Sequence, residues 1–71
     1  MRLIVEGTDW AIDWGLTKDG WQYAVVLHEN ELQQQYFGLT PLTNAVFHIA
    51  AATGDAVAIN MRKDDGHSIF L

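Results

Sequence analysis

Apolar and polar residues alternate through much of the first third of the chain. From Thr8 to Lys18, Trp10, Ile12, Trp14 and Leu16 fall on one side of an extended backbone; Asp9, Ala11, Asp13 and Gly15 fall on the other. Trp21 to His28 repeats the pattern, with Trp21, Tyr23, Val25 and Leu27 in phase. Between the two runs stands Asp19-Gly20, a pair that accepts the positive φ angles of a two-residue type I′ turn. These features predict a β-hairpin. With residues 19 and 20 as the loop, Lys18 faces Trp21, Leu16 meets Tyr23, Trp14 meets Val25, Ile12 meets Leu27 and Trp10 meets Glu29. That register places Trp10, Trp14 and Trp21 on one apolar face as core residues, whereas a slip of one residue would separate the apolar sets.

Around the hairpin the other elements follow. Arg2 to Val5 reads as a short strand ended by Gly7, and residues 29–38 as a connection with a short strand or turn near Gln34 to Phe37. Thr40-Pro41 opens a helix, Thr as N-cap and Pro at the first helical position, where its missing N–H has no partner to lose. Leu42, Val46, Ile49 and Thr53 lie at helical spacing on one stripe, and Gly54 closes the helix in a left-handed cap. Asp55 to Met61 alternates as a strand, Asp64-Asp65-Gly66 is a turn, and His67 to Leu71 is a last strand. A three-residue loop there pairs Met61 with Ile69, and a two-residue loop pairs Met61 with Phe70; the pattern leaves both open.

The predicted fold is a single α+β domain over residues 1–71, a small, mostly antiparallel sheet in the chain order β-β-β-α-β-β with one helix packed on one face. At 71 residues such a domain buries only about 60% of the surface of its unfolded chain. Cysteine is absent, so neither disulfides nor thiolate-bound zinc can brace it, and self-association remains as the staple. The apolar start Met1-Arg2-Leu3-Ile4-Val5 is too short for a signal peptide and no run reaches membrane-span length, which together with the lack of cysteine points to the cytoplasm.

Nine acids against four bases give a net charge of −5. Such a balance argues against direct binding to nucleic acid or an anionic membrane and favours a protein partner with a basic surface. In the expected register Asp9 and Asp13 share one face about 13 Å apart, and Glu29 and Glu31 follow at one end. We therefore take Asp9, Asp13, Glu29 and Glu31 as candidate partner-binding residues. No Asp, Glu, Lys or Arg occurs from Leu32 to Gly54, so the helix lacks the charged outer face of an ordinary surface helix. That neutrality marks Asn44, Phe47 and His48 as candidates for homodimer contacts.

Catalytic signatures are missing. His28, in the expected register, lies opposite Ala11 and diagonal to Asp9 and Asp13, which is the one His–Asp grouping that an enzyme reading would use. Its open surroundings lack anything that would desolvate one carboxylate relative to another. No metal-ligand spacing, phosphate loop or nucleophile elbow occurs, and Asp64-Asp65-Gly66 lacks the remaining ligands of a calcium loop. No catalytic, cofactor or metal residue is assigned. In being short, acidic, cysteine-free and α+β, the chain resembles the small inhibitors encoded by bacteriophages, including anti-CRISPR proteins that imitate DNA. The resemblance rests on size and charge and transfers no residue role. It implies a non-enzymatic module that occupies a basic, nucleic-acid-binding surface of another protein; a homodimeric structural or regulatory subunit is the alternative.

Overall fold

The computed structural model describes residues 1–54, 61–63 and 68–69. It contains β1 (Arg2–Val5), β2 (Trp10–Leu16), β3 (Gln22–His28), β4 (Glu31–Gly38), α1 (Pro41–Thr53), β5 (Met61–Lys63) and β6 (Ser68–Ile69). The strands form one antiparallel sheet in the order β4-β3-β2-β1-β5-β6, with α1 packed over β2, β3 and β4. The α+β class and the single helix on a sheet match the expectation from sequence. Of the last two strands, Met61 pairs with Ile69, the register of the three-residue loop. The expected strand over Asp55 to Met61 falls outside the described residues up to position 60, as do the turn at Asp64-Asp65-Gly66 and the end of the chain.

Several expectations need correction, two of them in the strands. Residues 29–38 hold more than the expected connection with a short strand or turn near Gln34 to Phe37: they form a two-residue turn and a full strand, so the chain order is β-β-β-β-α-β-β rather than β-β-β-α-β-β. Glu29 and Asn30 have φ of 53° and 67°, the paired positive values of a type I′ turn, and His28 pairs directly with Glu31. Val26 then pairs with Gln34 and Leu27 with Leu32, so Gln33 is the extra residue of a β-bulge.

The first hairpin is shifted by one residue. Trp10 pairs with His28, Ile12 with Val26, Trp14 with Ala24 and Gly15 with Tyr23. Its loop is Lys18-Asp19-Gly20. Gly20 donates its N–H to the Thr17 carbonyl at 3.0 Å and has φ of 86°, and Thr17 donates to the Trp21 carbonyl at 2.8 Å. A tight turn followed by a left-handed glycine is the usual three-residue hairpin, and Asp-Gly serves it as well as it serves the two-residue form. The Gly15–Tyr23 pair explains the choice. A methyl group added at Gly15 would lie 2.8 Å from the Tyr23 Oη, so the phenol ring covers bare backbone at that point. The two-residue loop would instead have set Tyr23 against Leu16.

This register sorts the side chains. Leu3, Val5, Ile12, Ala24, Val26 and Met61 form the core together with Ala45 and Ile49 of α1, with Trp10, Trp14, Tyr36, Leu42 and Val46 packed against it. Burying each of the larger aliphatic residues contributes about 1.5–3 kcal/mol. Tyr23, Val25 and Leu27 lie on the other face, and Trp21 is 60% exposed beside the turn, so it is not a core residue. The small side chains of Ala24, Ala45 and Ala50 let helix and sheet approach closely, and Tyr23 or Leu27 in their place would overfill the gap.

The helix ends where expected. Pro41 occupies the first turn and Gly54, at φ 78°, donates its N–H to the Ala50 carbonyl. The Thr40 hydroxyl makes no capping bond; its carbonyl accepts the Asn44 N–H at 3.1 Å. The fully covered stripe runs through Pro41, Ala45, Ile49 and Ala50, which rotates it from the expected Leu42, Val46, Ile49 and Thr53. Leu42 and Val46 are half-buried at its margin and Thr53 is exposed.

Candidate functional site

Strand direction brings two sets of residues to opposite ends of the sheet. The β1–β2 connection and the β3–β4 turn lie at the same end and carry Glu6, Asp9, Glu29 and Glu31, all exposed. The Glu29 N–H donates to the Asp9 carbonyl at 2.9 Å, which ties the two connections together. Beside them is a shallow hollow of about 200 Å³ lined by Arg2, Ile4, Thr8, Asp9, Trp10, Ala11, Glu29 and Asn30. Thr8 holds its approach: the hydroxyl donates to the Val5 carbonyl at 3.0 Å and accepts the Trp10 N–H at 3.0 Å.

The four candidate acids are not equivalent. Asp9 and Glu29 converge on the hollow, and Glu31 stands one turn away. Asp13 does not join them as a free acid. It lies opposite Arg2, whose Nε and Nη2 donate to its two carboxylate oxygens at 2.8 and 3.2 Å; the Arg2 Nη1 donates to the Asn30 Oδ1 at 3.4 Å. Glu6, absent from the candidates, belongs to the acidic end and is paired with Arg62 at 2.8 Å.

At the opposite end, around the β2–β3 loop, Met1, Leu16, Trp21 and Leu39 are 57, 66, 60 and 87% exposed, with Phe37 close by at 61%. Lys18 and Asp19 are the charges of that loop. The molecule is therefore polar along its strands: carboxylates at one end, apolar side chains at the other.

The helix candidates also divide. Asn44 and Phe47 are exposed, Phe47 by 68%. His48 turns inward: the Tyr36 Oη lies 2.9 Å from its Nδ1, and its ring sits 6.3 Å from that of Trp10. His28 is on this face too, stacked on Trp10 with ring centroids 4.2 Å apart. It does not lie opposite Ala11, and the one-residue shift of the hairpin moves it to the face away from Asp9 and Asp13. The sequence-based His–Asp grouping is not formed. Among the described residues, no cluster of three or more His, Asp or Glu side chains is arranged to hold a metal ion, and no helix is long and apolar enough to cross a membrane.

Arg2–Asp13 offers a partner little free charge, because each side chain answers the other. The acids of the hollow, Asp9 and Glu29, are instead exposed and sit on two connections joined by the Glu29 N–H to Asp9 carbonyl bond. Compared with protein-family models, with curated proteins and with solved structures, the chain matches none.

Proposed function

We propose that the protein is a non-enzymatic binding module whose acidic end, Asp9, Glu29 and Glu31 with Glu6 beside them, docks on a basic surface of another protein. The observation that carries this reading is the convergence of exposed carboxylates on a tied pair of turns, in a chain of net charge −5. Fixed charges on a rigid sheet end steer a cationic partner and lose little side-chain freedom on docking. The acidity of the chain as a whole extends the reading to a partner surface that otherwise holds nucleic acid, the mode of the DNA-imitating inhibitors that the chain resembles in size and charge.

The test is capture from a cell lysate on immobilised protein, eluted by a salt gradient, beside a variant carrying Glu6→Gln, Asp9→Asn, Glu29→Gln and Glu31→Gln. The expected result is salt-sensitive capture of basic proteins by the native chain, release of those proteins by added duplex DNA, and loss of capture by the amide variant with an unchanged circular dichroism spectrum. Equal capture by both proteins overturns the reading.

A further inference from the structure

The outer strand of the sheet carries an independent inference. β4 is terminal in the strand order, so along its length one side of the backbone faces away from β3. The Gln35 N–H points to that outer side. It donates to its neighbour's Gln34 Oε1 at 3.0 Å, a local side-chain substitute for a missing strand. Edge strands are commonly protected by a lysine, a proline or a covering loop. From Leu32 to Gly38 β4 has neither lysine nor proline, and its one irregularity is the bulge at Gln33. Leu32 and Phe37 lie on the open face of the sheet, 55 and 61% exposed.

We propose that β4 is a self-pairing edge, and that two copies of this chain join antiparallel through it into one continuous sheet. Charge selects a second copy as the occupant. Two molecules of net charge −5 repel over most approaches, but the margin formed by β4 and the adjoining side of α1 carries no charge from Leu32 to Gly54. Geometry selects it as well. With Gln33 set aside as the bulge residue, the positions of β4 are centred on Gln35. A two-fold axis there sets Gln35 against the other copy's Gln35, and each outward N–H passes from the Gln34 side chain to a backbone carbonyl. The same register matches faces along the strand. Leu32 of each copy meets Phe37 of the other, so both exposed apolar side chains gain a partner, while each Glu31 opposes a Gly38 and the two Glu31 carboxylates stay at opposite ends of the interface. Asn44 lies one turn before His48 on the side of α1 that reaches β4, so the helices flank the joint with neutral residues.

Sedimentation equilibrium up to millimolar concentration reads the association directly and does not depend on any other partner. The native chain is expected as a dimer. Gln35→Pro removes an outward N–H without removing a bond to β3, and should weaken association at least tenfold. Because proline strains the strand, a second pair of variants keeps the test sound. Gln35→Lys and Gln35→Glu each place like charges at the two-fold axis and should be monomeric, whereas their equimolar mixture should form a heterodimer. A monomeric native chain at millimolar concentration overturns the proposal, as does a dimer that all three substitutions leave intact.

Discussion

The two faces of the sheet are made from the same strands, yet they hold different kinds of order. On the helix-covered face, Leu3, Ile12, Ala24 and Val26 are fully buried in one core cluster with Ala45 and Ile49. On the other face, among the described residues, no helix lies above the sheet and only Ala11 and Leu27, which pair with each other across β2 and β3, are buried. Ile4, Tyr23 and Val25 are half-buried there, and an ion pair, Arg2 with Asp13, stands among them. Alternation along a strand creates both faces at once. Register and packing decide which one becomes the core.

The sharpest way to break that distinction is a matched pair of truncations. Ile12 and Val25 are near neighbours on adjacent strands, one under the helix and one on the open face. Ile12→Ala should cost about 2–5 kcal/mol, enough to unfold much of a marginal domain at room temperature. Val25→Ala should cost about 1 kcal/mol or less, since its side chain already meets water. Urea titration followed by tryptophan fluorescence measures both. Equal losses would mean that the open face is as well covered as the helix face, and would erase the difference between them.

A smaller effect tests what sets the register on which both faces depend. Gly20 holds a φ of 86°, where a residue with a Cβ is strained by about 1–2 kcal/mol. Gly20→Ala should lower stability by about that amount, without changing which residues face the helix, because the Gly15–Tyr23 contact still holds the pairing. Amide exchange monitored by NMR would show the same protected positions at reduced protection. A change in the pattern of protected amides would mean that the turn, rather than the cross-strand contact, determines the register.

These two loops show where sequence reading succeeds and stops. The hairpin over residues 10–28 was legible because alternation and Asp-Gly agree, but Asp-Gly fits two loop lengths, and the deciding contact joins Gly15 to a ring eight residues away in sequence. The β4 strand was hidden because its turn, Glu29-Asn30, lacks glycine and its bulge interrupts the alternation of a glutamine run. The helix limits were legible from Pro41 and Gly54. Its buried stripe was misplaced because Ala45 and Ala50 matter by being small, a property a search for large apolar residues overlooks. The approach of Asp9 to Glu29 and Glu31 was legible from the expected hairpin, whereas the pairing of Asp13 with Arg2 required the β1–β2 register.

The smallest expected effect concerns that ion pair, and it sharpens the contrast most finely. Arg2 and Asp13 form two hydrogen bonds across neighbouring strands, but their side chains are 37 and 38% exposed. Water and salt therefore screen much of their attraction, so Asp13→Asn should cost below about 1 kcal/mol, with the loss shrinking further at high salt. Asparagine keeps the shape and one acceptor oxygen, so the change isolates the charge. It also removes the negative charge that balances Arg2, a residue lining the hollow with Asp9 and Glu29, which lowers the negative field of the acidic end. Partner capture by Asp13→Asn should thus elute at lower salt than capture by the native chain even though the domain is almost as stable. A large loss of stability with unchanged elution would reverse the assignment, making the pair a structural clasp of the open face with no bearing on the acidic end.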